Sequence, residues 1–172
     1  MPSQHILIFG NSGSGKSTLA RALAASRGFA HLDLDTLAWL PSSPPQRAPL
    51  EAVDAQLRDF VKDNTANNCG WVVEGCYTDL LELLSASADH IVFMDLPVAA
   101  CIANAKARPW EPHKYPTKAA QDANLEMLIS WIAQYSSRED EFSYAAHREF
   151  YAGFHGRKTI FTENVDLNSL EL

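Results

Sequence analysis

Basic residues are scarce in this sequence. Lysine and arginine total 14 against 21 aspartates and glutamates, so the formal net charge is −7. A protein that grips a nucleic-acid duplex normally presents a basic face to the phosphates. The charge balance therefore argues against nucleic acid as a partner, although it leaves room for a local basic pocket that binds phosphate groups.

Cysteines are also few, and long apolar runs are missing. The three cysteines, Cys69, Cys76 and Cys101, form no C-x-x-C pair, which favours buried free thiols over a metal or redox site. No apolar run approaches the roughly 20 residues that span a bilayer. The segment before the first apolar run is too short for a signal peptide. We therefore expect a cytoplasmic protein without membrane contact, and the sequence indicates no particular oligomeric state.

The length and composition predict a single domain over residues 1–172. Hydrophobic residues make up 47% of the chain and charged residues 20%, which is typical of globular proteins large enough to bury a core. Strand-like and helix-like segments alternate, which predicts a parallel sheet with helices on both faces. The strands are expected at about 4–9, 29–34, 71–73, 90–96 and 157–161, and the helices at about 16–26, 50–62, 98–107, 121–135, 138–153 and from 166 onward.

One stretch carries most of the functional signal. Residues 10–18 read GNSGSGKST, which matches the pattern G-x-x-x-x-G-K-[ST] between a strand-like and a helix-like segment. Average residue usage makes a chance match in a chain of this length an event on the order of one per cent. The motif predicts a loop that binds the phosphates of a nucleoside triphosphate, formed by Gly10, Asn11, Ser12, Gly13, Ser14, Gly15, Lys16, Ser17 and Thr18.

Each residue type in this motif has a physical role. The glycines let the main chain curl so that its N–H groups point at an anion. The helix that begins near Lys16 adds its positive dipole end to the same place. The Lys16 ammonium can reach the β- and γ-phosphates, and the Ser17 hydroxyl can bind Mg²⁺. We therefore expect ATP and Mg²⁺ as cofactors.

Two acidic residues follow the second predicted strand. Asp33 and Asp35 are two apart, so on a strand both side chains would point the same way. They fall where an open α/β sheet places its ligand crevice. We interpret both as acceptor-binding residues and Asp33 also as a water-mediated Mg²⁺ contact. Capping of the next helix is the alternative for either one.

The third strand ends in a second polar group of residues. Glu74 can hold Mg²⁺ through water, with a solvated strand-end acid as the alternative. Gly75 would let a ligand approach the backbone closely. Tyr77 is a polar residue on the acceptor side. The sequence therefore predicts metal contacts by Ser17, Glu74 and Asp33.

Two arginines are candidates for stabilising the transferring phosphoryl group. Arg108 ends a helix and opens the stretch RPWEPHKYPTK, whose prolines, aromatic residues and basic residues suit a lid over phosphates. A favourable interaction with the helix dipole is the alternative role for this cation. Arg138 is placed at the start of a later helix, where it either contacts phosphate or is simply solvated. Lys16, Arg108 and Arg138 are the predicted catalytic residues.

With these residues in hand, the chain resembles the adenylate-kinase-like P-loop kinases, and most closely the branch named for DNA topology modulation. The resemblance lies in GNSGSGKSTLA, HLDLDTLAW, WVVEGCY and IVFMDLP. It implies the three-layer α/β/α fold of P-loop NTPases, with a five-stranded parallel sheet of order 2-3-1-4-5. It also implies an acceptor-binding region at about residues 34–70 and an arginine-bearing lid at about 108–120.

The sequence as a whole predicts ATP- and Mg²⁺-dependent phosphoryl transfer to a small-molecule acceptor, either a nucleotide or another small metabolite. It identifies neither the acceptor nor a preference for ATP over GTP. The alternative is a nucleotide-binding regulator or slow ATPase without a small-molecule acceptor. The sparse arginines favour the regulator, whereas Asp33, Asp35 and Tyr77 favour the kinase.

Overall fold

The computed structural model describes residues 4–172, and strands and helices alternate along them. The strands are β1 (His5–Gly10), β2 (Ala30–Asp33), β3 (Trp39–Leu40), β4 (Gln46–Arg47), β5 (Trp71–Gly75), β6 (His90–Met94) and β7 (Arg157–Phe161). The helices are α1 (Lys16–Arg27), α2 (Asp35–Ala38), α3 (Leu50–Ala66), α4 (Thr78–Leu84), α5 (Val98–Ala107), α6 (Lys118–Ala133) and α7 (Tyr144–Gly153), with a 3₁₀ turn at Ser85–Ser87.

Five of the strands form one parallel sheet. Its order is β2-β5-β1-β6-β7, which is the predicted order 2-3-1-4-5 when only these five strands are counted. The predicted α/β P-loop fold is therefore confirmed. The register places Gly10 beside Met94 and Asp33 beside Glu74, so the phosphate loop and the strand-end acids share the carboxyl edge of the sheet. Strands β3 and β4 form a separate antiparallel pair.

The core lies on both faces of the sheet. Strands β1, β5 and β6 are almost fully buried, as expected of central strands covered on two sides. On one face Leu7 and Phe9 belong to a cluster that includes residues of α3, α4 and α7. On the other face Ile6 and Ile8 belong to a cluster that includes residues of α1, α5 and α6. These three layers hold the carboxyl edge of the sheet in place.

Several predicted elements differ from the observed ones. The sequence pattern predicts no strand or helix at 40–49, but this segment contains β4 and part of β3. The helix predicted from residue 138 begins only at Tyr144, because the Ser143 hydroxyl caps it by accepting from the Ala146 amide. The helix predicted from residue 166 does not form. There Asp166 accepts hydrogen bonds from the Asn168 amide and the Ser169 hydroxyl, which stabilises a turn in place of a helix.

A buried hydrogen-bonded chain ties α6 and α7 to the end of β5. The Tyr135 hydroxyl lies 2.5 Å from Nδ1 of His147, and Nε2 of His147 lies 2.8 Å from the carbonyl oxygen of Cys76. Since that carbonyl can only accept, Nε2 donates to it and a neutral ring accepts at Nδ1 from Tyr135. Burial lowers the pKa of His147 to about 4, so the ring is neutral at physiological pH.

We expect the protein to lose stability as pH falls from about 6.5 towards 4. Between these values the unfolded chain binds a proton at His147 that the folded chain does not bind, so acidification favours unfolding. At pH 5 the loss from this residue is about 2 kcal/mol relative to pH 7.5. Denaturant melts at the two pH values measure it. His147→Gln should reduce the pH dependence, whereas the same change at the exposed His155 should not. An equally steep dependence in His147→Gln would contradict the assignment.

Candidate active site

The phosphate loop joins β1 to α1 in a tight turn. Gly13 and Gly15 have φ angles of +77° and +87°, which residues with a Cβ adopt only rarely. A Cβ at Gly13 would lie 2.3 Å from the carbonyl oxygen of Cys101. The amide of Asn104 also donates to the carbonyl oxygen of Gly13, at 2.8 Å. Both glycines are therefore needed for the curl of the loop, and Gly13 is also needed for its close packing on α5.

The two polar side chains that end the motif are held in defined positions. Nζ of Lys16 donates to the carbonyl oxygen of Asn11 at 2.8 Å. Oγ of Ser17 donates to Oε1 of Glu74 at 2.7 Å. Glu74 is only 2% exposed, and it reaches the first turn of α1 because β5 lies next to β1. The structure therefore brings together the predicted metal contacts Ser17 and Glu74.

Acidic groups gather at the ends of β2 and β5. Asp33 lies beside Glu74 in the sheet, and Nε2 of His31 is 3.6 Å from Oε1 of Glu74. Burial, with the charges of Glu74 and Asp35 adding to it, raises the pKa of Asp33 to about 6. Oδ1 of Asp33 also accepts from the Asp35 amide, at 2.9 Å, so Asp33 shapes the start of α2 as well.

The placement of Asp35 corrects one part of the sequence interpretation. Strand β2 ends at Asp33 and Asp35 opens α2, so the two acids do not lie side by side on one strand. Asp35 instead accepts a hydrogen bond from the Tyr77 hydroxyl, which in turn accepts from Nε1 of Trp39 at 2.8 Å. Burial disfavours ionised Asp35, but the Tyr77 hydrogen bond and the charges of Lys114 and Lys16 outweigh it and lower its pKa.

The stretch after α5 lies against the phosphate loop. A cleft of about 560 Å³ is lined by loop residues 13–18 and by residues 107–114, and Asn164, Val165 and Leu167 also line it. Arg108 lines this cleft, and its Nη1 lies 3.8 Å from a Glu111 oxygen. The structure thus places Arg108 in the same cleft as Lys16 and Ser17.

Lys114 lies between this cleft and the acidic residues at the ends of β2 and β5. Its side chain lines the cleft, and its Nζ lies 3.3 Å from Oδ2 of Asp35 and 3.9 Å from Oδ2 of Asp33. A Glu111 oxygen is also 3.9 Å away. Although burial disfavours the ammonium, these three carboxylates raise the pKa of Lys114 above its ordinary value. Lys114 was not singled out from the sequence, although it stands within the basic and aromatic stretch predicted as a lid.

Two predicted site residues have other surroundings. A Cβ at Gly75 would lie 2.9 Å from Cβ of Leu34 and 3.1 Å from Cδ2 of Tyr77. The space beside Gly75 is therefore filled by packing and does not admit a ligand.

Arg138 is the second of these residues, and the structure does not bring it to the phosphate loop. Its Nε and Nη2 hold the Asp140 carboxylate at 2.7 to 3.0 Å. Its guanidinium carbon lies 3.5 Å from the centre of the Trp131 ring. It does not line the cleft, and it precedes α7. The ion pair with Asp140 and the stacking on Trp131 fix its position.

The donor atoms at Ser17 and Glu74 fit Mg²⁺. A hydroxyl and a buried carboxylate supply the hard oxygen ligands that this ion prefers, with waters and substrate phosphates completing its shell. Within residues 4–172 there is no group of three or more His, Cys, Asp and Glu side chains arranged to hold a metal ion.

Comparison with known families identifies the chain at a coarse level. A family model described as AAA domain matches residues 6–127, more than half of the chain. The chain belongs to this AAA domain family. In this AAA domain the matched region runs from β1 into α6, so it includes the phosphate loop, the strand-end acids and the stretch over the cleft. The match identifies the AAA domain family only and does not assign the chain to the topology-modulation branch that the sequence resembles. The search of curated proteins found no significant match to this chain.

Solved structures support the fold assignment. A sugar kinase from Janibacter sp. HTCC2649 is 13% identical with a TM-score of 0.55, over 97% of this chain and 89% of that chain. A gluconokinase from Sinorhizobium meliloti 1021 is 18% identical with a TM-score of 0.51, over 97% and 86%. A shikimate kinase from Acinetobacter baumannii in complex with shikimate is 16% identical with a TM-score of 0.47, over 96% and 87%. The first two likenesses show a shared fold with this AAA domain.

The helices were also compared with the requirements of a membrane span. None in the described part of the chain combines the length and the apolar character of a membrane span.

Proposed function

We propose that this AAA domain is an ATP- and Mg²⁺-dependent kinase that transfers the γ-phosphoryl group to a small-molecule acceptor. One observation carries the proposal. Lys114 lines the same cleft as the phosphate loop and also pairs with Asp35, so a donor side and a polar acceptor side meet at one place. The names of the sugar kinase and gluconokinase that share the fold are consistent with this chemistry.

The residues divide into two sets in this proposal. The loop amides and Lys16 hold the phosphates of ATP, and Ser17 holds Mg²⁺ with Glu74 in its outer shell. Bound Mg²⁺ would neutralise charge on the phosphates. Arg108 stabilises negative charge on the transferring group. On the acceptor side Asp33 and Asp35 orient the incoming hydroxyl, and the buried Tyr77 positions Asp35 through its hydrogen bond. Residues 108–120 act as a lid that excludes water.

The proposed reaction is a simple displacement. The acceptor oxygen forms a bond to the γ-phosphorus while the bond from that phosphorus to the bridging oxygen breaks. ADP leaves with the bonding electron pair, and the proton of the acceptor hydroxyl passes to the Asp33 carboxylate or to water. No oxidant or further co-reactant is needed.

The finer assignments complete the proposal. We place the acceptor-binding region at about residues 34–70 within a single domain, and we regard the protein as cytoplasmic and as a relative of the topology-modulation branch. No nucleic-acid partner is proposed, since the net charge is −7.

The proposal is tested by ADP formation from Mg·ATP across a panel of nucleoside monophosphates, nucleosides, sugars and small polyols. Lys16→Ala serves as the blank. We expect one acceptor class to raise the rate in a saturable way above the blank. A flat panel with tight ATP binding would instead support the alternative, a nucleotide-binding regulator or slow ATPase.

We expect Glu74→Gln to weaken the response to Mg²⁺. The glutamine keeps the size of the side chain, but it loses the negative charge that faces Ser17 at 2.7 Å. Loss of an outer-shell partner typically costs about tenfold or more in metal affinity, so the Mg²⁺ concentration for half-maximal turnover should rise by about tenfold. The same change at the exposed Glu82 is the control. Equal Mg²⁺ titrations for Glu74→Gln and the wild type would remove Glu74 from the metal site.

A further inference from the structure

We infer that the acceptor is an uncharged polyhydroxy compound, such as a sugar, polyol or nucleoside, and not a phosphorylated or carboxylated one. This inference rests on the proposed kinase function and names the substrate class of the same site. It follows from the ion pairs that surround Asp33, Asp35 and Tyr77, which we call the acceptor side, and from the residues that remain exposed there.

The arginine on the acceptor side is already committed to two carboxylates. Nη2 of Arg47 lies 2.9 Å from Asp79, and its Nη1 lies 2.7 Å from Glu141. The guanidinium also lies over the Tyr77 ring, with its carbon 4.9 Å from the ring centre. Its Nε donates to the carbonyl oxygen of Ala38. Arg47 is therefore held by two ion pairs beside Tyr77, and an anionic acceptor would have to compete with both carboxylates for it.

The lysine on the acceptor side is committed in the same way. Lys114 faces Asp35, Asp33 and Glu111, so three carboxylates surround one ammonium. Arg108 and Lys16 line the cleft of the phosphate loop, where the proposed function uses them for the nucleotide. Carboxylates thus outnumber the cations facing the acceptor side, and a further negative group there would be repelled.

The surfaces that remain suit hydroxyl groups and an apolar ring face. The carboxylates of Asp33 and Asp35 already accept from the Asp35 amide and the Tyr77 hydroxyl and face Lys114. A carboxylate has about four acceptor positions, so each can still accept a hydrogen bond from a polyol hydroxyl. Trp39 is 39% exposed, its Nε1 donates to the Tyr77 hydroxyl, and the guanidinium carbon of Arg47 lies 5.8 Å from its ring centre. An exposed aromatic residue beside a few fixed polar groups is a common lining of small-molecule sites, and here the paired cations favour an uncharged ligand.

Matched pairs of acceptors test this inference on the wild-type protein. The pairs are adenosine with AMP, D-glucose with D-gluconate, and glycerol with glycerol 3-phosphate, assayed for ADP formation against the Lys16→Ala blank. In the pair that is active, the neutral member should have at least about a tenfold higher kcat/KM, because like-charge contact costs the anionic member binding energy. A better rate with the anionic member would overturn the inference while leaving the kinase function standing. A flat panel would overturn both.

A specificity switch gives an independent test. Combining Asp79→Asn with Glu141→Gln frees Arg47 without removing side-chain volume, so the ratio of anionic to neutral kcat/KM should rise by about tenfold. Asp54→Asn is the control, because it neutralises the partner of the exposed Arg58 on α3. If the double variant lacks a cooperative thermal transition, Asp79→Asn alone is used. An unchanged ratio in a folded variant would overturn the inference.

Discussion

Lys16→Ala is expected to abolish productive ATP binding and to lower turnover by about 10³-fold. The Lys16 ammonium stands at the start of α1, where Asn11 holds it 2.8 Å from its carbonyl oxygen. It is the cation of the motif itself, and removing it leaves the phosphate charge to the loop amides and the helix dipole alone. Calorimetric titration with Mg·ATP measures the binding, and ADP formation measures the turnover.

The matched control for this change is Lys62→Ala. Lys62 is exposed on α3, and it stands away from the residues that line the cleft. Both variants should melt close to the wild-type temperature, because Lys62 is exposed and the half-buried Lys16 makes a single hydrogen bond, to the Asn11 carbonyl oxygen. Wild-type ATP affinity and turnover in Lys16→Ala would show that the loop does not bind the nucleotide as proposed.

Arg108→Ala should reduce turnover by about 10³-fold while changing the ATP dissociation constant much less. The reason is that an arginine aimed at the transferring group stabilises charge mainly in the transition state. Arg108 lines the cleft, and its nearest anion is Glu111 at 3.8 Å, which is too long for a tight ion pair. It is therefore available to a phosphate group.

Arg108→Lys separates the role of the guanidinium from that of its charge. Lysine lacks the planar fork that holds two phosphate oxygens at once, so this variant should recover only a small part of the turnover. Arg58→Ala, which removes an exposed arginine on α3, is the control and should behave as wild type. An Arg108→Ala enzyme that loses ATP affinity and keeps its turnover would assign Arg108 to nucleotide binding alone.

The fold was predictable from the sequence because its signals are local. The glycines and Lys16 specify the turn between β1 and α1 within nine residues, and the alternating apolar segments specify a parallel sheet. Arg108 and Glu74 could also be placed, because Arg108 directly follows α5 and Glu74 is the last residue but one of β5. The structure brings both to the edge of the sheet where the phosphate loop lies.

The acceptor side was less predictable because its contacts join distant parts of the chain. The Lys114 and Asp35 pair is separated by 79 residues, and the Arg47 and Glu141 pair by 94. No local pattern indicates such partners, so both cations were missed. Arg138 was misplaced for a related reason, since the ion pair with Asp140 and the cap at Ser143 override the helical spacing of the aromatic residues that follow.

The most direct test of the kinase proposal follows the γ-phosphoryl group itself. ATP labelled at the γ-position is incubated with Mg²⁺, the protein and the best acceptor of the panel, and the products are separated. We expect the label on an organic product in the same amount as the ADP formed, with Lys16→Ala giving neither. Label found only in inorganic phosphate, at the same rate with and without the acceptor, would contradict phosphoryl transfer and leave a slow ATPase.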